Sequence, residues 1–144
     1  YVYRRDKKRY IGEYQSKYKV YFMTQHMRPK TIFCDIDGTL VKHASPLVSC
    51  KPNYKMTLLD GTLEKLDEWD RLGYNIILTT GRRESARKET ERQLAEAGIF
   101  YDQLVMGIGG GHRCLINDRK PYSGDDHAHA INIDRNQGVK DVEI

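Results

Sequence analysis

No apolar run in the chain approaches the length that crosses a bilayer, and no leader of basic, apolar and small residues is present. A soluble cytoplasmic protein is the expectation. Cysteine is scarce and odd in number: Cys34, Cys50 and Cys114. Three thiols make no disulfide framework, and their spacing matches no zinc site. Cys34 and Cys114 fall in expected strands, where reduced thiols pack as small hydrophobes. Lysine is missing between Lys88 and Lys120. At 144 residues the chain is nevertheless long enough to bury a core without staples.

Positive charge is present but unevenly placed. Residues 1–30 hold nine Lys/Arg against two acids, and residues 31–144 hold fifteen against eighteen, so the net +4 is a local property of the leader. Six of the ten tyrosines lie in the same thirty residues. Residues 1–29 therefore read as a basic, Tyr-rich extension, and 30–144 as the domain, which Met27-Arg28-Pro29-Lys30 would open. Lacking an initiating Met, the extension reads as the tail of an upstream region. Interleaved aromatics and cations can stack on and neutralise nucleic acid, and Lys19 to Met23 could add an edge strand or a partner contact.

The most informative segment is Asp35-Ile36-Asp37-Gly38-Thr39, directly behind the apolar run Thr31-Ile32-Phe33-Cys34. Two carboxylates two residues apart at the tip of a buried strand repel one another unless a cation or a shared proton intervenes. Mg²⁺ is the usual partner of such hard oxygen ligands. A calcium loop would need oxygen ligands at its fifth and twelfth positions and glycine at its sixth. Those positions are Thr39, Pro46 and Leu40, so that reading fails. A strand-end turn with solvated acids is the plainer alternative, and a metal-assisted phosphoryl-transfer site is the sharper one.

From Thr31 onward, strands and helices alternate. Thr31 to Ile36 is apolar nearly throughout, as a strand covered on both faces would be. Leu59, Leu63, Leu66, Trp69 and Leu72 recur at three- and four-residue steps, which predicts an amphipathic helix that Gly73 stops. Tyr74 to Thr79 is the second strand. Gly81 to Ala97 is a charged helix with Ala86, Thr90, Leu94 and Ala97 facing inward, ended by Gly98. Short strands are expected at Gln103 to Met106, Cys114 to Asn117 and Ala128 to Ile133. This order predicts an α/β fold: a Rossmann-like, doubly wound parallel sheet in three α/β/α layers, with its ligand beyond the carboxyl ends of the strands. Asp35, Thr80 and Asn117 each fall at such an end. Only seven residues, Gly107 to Arg113, join the third and fourth strands, short for a parallel crossover. That loop is expected to pass over the crevice instead.

Three segments stand in order: Asp35-Ile36-Asp37-Gly38-Thr39, Ile76-Ile77-Leu78-Thr79-Thr80-Gly81-Arg82, and Leu115-Ile116-Asn117-Asp118-Arg119-Lys120-Pro121. Together, over roughly Lys30 to Gly138, they resemble the haloacid dehalogenase-like (HAD) superfamily of phosphatases and phosphotransferases. The resemblance implies Asp35 as the nucleophile that forms an aspartyl-phosphate. It implies Asp37 as the acid that protonates the leaving group and then activates water. Thr80 would hydrogen-bond a phosphoryl oxygen, with a plain helix N-cap as its simpler role, and Thr79 competes if the strand ends one residue earlier. Gly38, Thr39, Gly81, Arg82 and Lys120 are implied substrate contacts. Mg²⁺ would be held by Asp35, the Asp37 carbonyl, Asn117 and Asp118. Here the chain departs from the common pattern, since Asn117 stands where an acid is usual. The family's lysine before this third motif is also missing, which makes Arg113 the expected phosphoryl cation, with Arg82 and Lys120 as rivals.

Neither inter-motif gap has room for a cap domain. An open crevice suits a bulky substrate or an oligomer whose neighbour supplies the lid. The reading is thus a Mg²⁺-dependent phosphomonoester hydrolase acting on a sugar phosphate or other phosphorylated metabolite. A polynucleotide-end phosphatase is one alternative, with nucleic acid engaged through residues 1–30. A catalytically weak phosphate-binding or scaffold protein is another. A membrane partner is not expected, and homo-oligomerisation stays open.

Overall fold

The computed structural model describes residues 28–119, 121 and 126–144. The expected extension 1–29, its Lys19 to Met23 segment and the substrate contact Lys120 lie outside the described residues, save for Arg28 and Pro29.

Three parallel strands form the sheet, β1 (Thr31–Asp35), β2 (Asn75–Thr79) and β3 (Gln103–Val105), in the order β1-β2-β3. Ile32 pairs with Ile76, Cys34 with Leu78, and Leu78 in turn with Leu104. Because side chains alternate across a strand, these residues share one face. Between β1 and β2 lie α1 (Pro46–Ser49) and α2 (Thr62–Arg71); a 3₁₀ turn (Glu84–Ala86) and α3 (Arg87–Glu96) join β2 to β3. The fold is α/β with a parallel sheet, and neither connection carries a further domain. Among the described residues, no helix is long and apolar enough to cross a membrane.

One core holds the sheet to its helices. Ile32, Cys34, Ile76 and Leu78 join Leu66 and Trp69 from α2 and Leu94 from α3, with Ile36, Leu40, Val41 and Val139 completing the cluster. Burying side chains of this size contributes about 1.5–3 kcal/mol each. Both helices end at the expected glycines, where the Tyr74 and Ile99 amides reach back five residues to the Trp69 and Leu94 carbonyls, satisfying last-turn acceptors. The α2 helix is shorter than its leucine pattern suggested: Leu59 precedes it, and Leu72, at its C-cap, is exposed. The second helix also begins late, because Gly81 to Arg83 are committed to a turn at the site.

The two last expected strands are not formed. Leu115 and Ile116 are exposed, and Ala128 to Ile133 has no ladder. A parallel crossover takes a dozen or more residues, and the seven from Gly107 to Arg113 cannot return the chain to the sheet. β1 is correspondingly covered on one face alone, with Phe33 56% exposed on the other.

Instead, the final segment straps the first motif. The Asn136 amide donates to the Gly38 carbonyl at 2.8 Å, and the Asn136 Oδ1 accepts from the His43 amide at 2.8 Å. Further on, the Val139 and Lys140 amides both donate to the Asp60 carbonyl.

Candidate active site

Asp35 closes β1, and the chain then winds about the Ile36 carbonyl, which accepts from the amides of Thr39, Leu40 and Val41. That turn returns Thr39 to Asp35, whose Oδ2 accepts from the Thr39 hydroxyl at 3.3 Å. Both aspartates are half-buried. Burial, and next the charge of Asp37, push the Asp35 carboxyl above the usual aspartate range, while the Thr39 hydroxyl and the positive charge of Arg113 pull the other way. The neighbouring Cys34 thiol is pushed up to about 12 by burial and by Asp35, so it packs as an inert core group.

Asp37 meets the end of β2. Arg82 grips it with two parallel bonds, Nε to Oδ2 at 2.8 Å and Nη2 to Oδ1 at 2.7 Å. The Thr80 hydroxyl donates to the same Oδ2 at 3.3 Å and accepts from the Arg82 amide at 3.1 Å. Strand β2 ends at Thr79, and it is the next residue, Thr80, that turns to the site. Thr80 does not cap the following helix, which starts further on. The Arg82 side chain is only 7% exposed. Its Nη1 donates to the Gln93 Oε1 at 2.8 Å and to the Thr90 hydroxyl at 3.4 Å.

The glycine loop after β3 lies directly over this corner. The Gly107 amide donates to the Arg82 carbonyl at 2.7 Å, and a β-carbon on Gly81 would stand 2.7 Å from the Gly109 carbonyl oxygen. Arg113 folds back on its own loop, donating to the carbonyls of Gly109, at 3.0 Å, and Gly111. Gly38 sits beneath the aliphatic part of Arg135.

The structure thus brings together Asp35, Asp37, Gly38, Thr39, Thr80, Gly81 and Arg82, with Arg113 near enough to act on Asp35 by its charge. It does not gather the third motif with them. Asn117 and Asp118 are exposed on the segment without a ladder, where the Asn117 amide donates to the Asp118 carbonyl. Among the described residues, no group of three or more His, Cys, Asp or Glu is arranged to hold a metal. Mg²⁺, however, is commonly held by one or two carboxylates, several waters and substrate phosphates rather than by a protein cage. The Asp35 carboxylate supplies a hard oxygen where burial and the neighbouring Asp37 penalise its charge, a cost a bound cation would relieve, and that donor fits Mg²⁺.

Two participants escaped the sequence reading. Gln93, 1% exposed on α3, holds the far side of Arg82; the helical spacing from Thr90 and Leu94 marked that face as buried, and a polar residue there was the available signal. Tyr54 lies within electrostatic reach of the ion pair: burial raises its hydroxyl pKa, and Arg82 and Asp37 act on it in opposite directions. A separate cleft of about 420 Å³ lies by Ile131, Ile133 and Val142 and does not include either aspartate.

No family model matches the chain, and no curated protein does. Among solved structures it is similar to a chain of a Pnkp1/Rnl/Hen1 complex, at 32% identity over 62% of this chain and 31% of that one, with a TM-score of 0.49. A Pnkp1/Rnl/Hen1 RNA repair complex gives 28% identity, 69% and 28% coverage, and 0.46. A D,D-heptose 1,7-bisphosphate phosphatase from B. bronchiseptica, solved with magnesium and phosphate, gives 19% identity, 67% and 54% coverage, and 0.40. The chain spans less than a third of the two complex chains it matches.

Proposed function

We propose that this chain is a HAD-like phosphomonoester hydrolase working through an aspartyl-phosphate on Asp35. The observation that carries the proposal is the meeting of Asp35, Asp37, Thr80 and Arg82 at the carboxyl ends of two adjacent parallel strands.

Asp35 attacks the substrate phosphorus, forming a bond from its carboxylate oxygen as the ester P–O bond breaks. Asp37 delivers to the departing alkoxide the proton it took from water in the preceding turnover. In the second step Asp37 takes a proton from water as that water attacks the aspartyl-phosphate, which releases phosphate and restores Asp35. Arg82 holds Asp37 by two bonds in one orientation. Thr80 donates to a phosphoryl oxygen when substrate is present and to Asp37 in its absence. Arg113 supplies positive potential for the phosphoryl group. Asp35 and the Asp37 carbonyl would hold Mg²⁺, with waters and a substrate phosphoryl oxygen completing its shell. The ion supplies charge neutralisation for the transferring group.

The test is hydrolysis of a generic aryl phosphate with Mg²⁺ and with a chelator, followed by a panel of sugar phosphates, nucleotides, phosphorylated polynucleotide ends and phosphopeptides. Turnover should require Mg²⁺ and vanish in Asp35→Asn while the fold is kept. An Asp35→Asn variant as active as the wild type would refute the assignment, and no turnover under any metal would favour a phosphate-binding module.

A further inference from the structure

The carboxylate that moves protons is not positioned by its own strand. Asp37 stands in the turn after β1, and its two oxygens are set by Arg82, whose Nε and Nη2 they occupy. A guanidinium is a rigid fork, so whatever fixes its other edge fixes the carboxylate too. That edge, Nη1, points at α3, where Gln93 Oε1 accepts at 2.8 Å. Gln93 is itself held from two sides, because its Nε2 donates to the Ser49 carbonyl at 2.8 Å and to the Glu89 Oε1 at 2.9 Å. The first of these ties α3 to the end of α1, and the amide orientation follows, since only the oxygen can accept from Arg82.

We infer that Gln93 is a positioning residue for the reaction: it locks the Arg82 fork so that Asp37 keeps the orientation proton transfer needs. The inference rests on the hydrolase reading for its consequence in turnover, and on geometry alone for the Gln93–Arg82–Asp37 chain. Buried polar groups in such a chain are costly to leave unpaired, which explains why a glutamine occupies a helix face otherwise lined by Thr90 and Leu94.

Two variants separate positioning from packing. Gln93→Met matches the side chain's length and removes the acceptor. Gln93→Glu keeps an acceptor for Arg82 and gives up both Nε2 bonds. Gln93→Met should lower kcat by about 10- to 100-fold with KM changed by less than about twofold, and should reshape the pH profile of kcat. Gln93→Glu should retain most of the wild-type kcat even where its melting temperature falls. Equal loss in both variants would mean that the Ser49 tie, a packing role, is what matters, and would overturn the inference. So would wild-type kinetics in Gln93→Met.

A second readout is independent of turnover: the Arg82 Nε–H resonance, assigned by its disappearance in Arg82→Lys. Its exchange with solvent should be slow in the wild type and fast in Gln93→Met. Unchanged slow exchange in that variant overturns the inference. Absence of phosphatase activity in the wild type would instead count against the hydrolase reading and leave the exchange result to decide this one.

Discussion

Asp35 bears an electrostatic cost that can be measured directly. Its carboxyl titrates above the ordinary aspartate range, first because it is buried and then because Asp37 is close. Between the ordinary value, about 3.9, and the raised one, the folded state therefore binds more protons than the unfolded chain, and stability falls as pH rises through that window. Above it, the full cost is present. In chelator, Asp35→Asn should accordingly melt above the wild type at pH 7, and the difference should close as the pH drops below about 3.9. A pH-independent difference would contradict this origin. Arg82 presents the opposite case. Its side chain is 7% exposed and that of Asp37 is 17% exposed, so removing the cation leaves a largely buried carboxylate unpaired. Arg82→Ala should cost on the order of 3 kcal/mol in urea unfolding and abolish turnover.

The elements matter through where their ends meet. Strands β1 and β2 end level with each other, Asp35 opposite Thr79, which brings the turns after them within hydrogen-bonding distance. The glycine loop after β3 then closes on Gly81, whose missing side chain is what admits the Gly109 carbonyl. Gly81→Ala should push the loop away, destabilising the fold by about 1–3 kcal/mol and lowering turnover as Arg113 moves off the crevice. Urea denaturation and kcat measured on the same preparation check both. Helix α3 is attached to the sheet by few large groups, of which Leu94 is fully buried. Leu94→Ala should cost about 2–5 kcal/mol, measured by the urea midpoint at unchanged m-value.

The strap from Asp134 to Val142 ties the last described segment to both the Gly38 turn and the Asp60 carbonyl. Gly138 has φ +80°, and a β-carbon there would stand 2.4 Å from the Asp60 carbonyl oxygen. Gly138→Ala should release the strap, lower the melting temperature, and speed hydrogen exchange at Val139 and Lys140. Much of this architecture was legible in residue order. The run behind Asp35, the leucine spacing around Leu66 and Trp69, and the stops at Gly73 and Gly98 are local patterns, because side-chain period and chain termination depend on neighbours a few residues away. What could not be read locally is pairing. Leu115 and Ile116 have the composition of a strand, but a strand needs a partner edge, and the short connection before them provides no route to one. Likewise, Arg82 read as a substrate contact and a rival phosphoryl cation, and only the approach of Asp37 from one strand end and Gln93 from a helix assigned its three nitrogens. Sequence alone determined which residues carry charge and where the two long helices stop; the tertiary structure decided which strands pair and which charges face each other, because both depend on contacts between segments far apart along the chain.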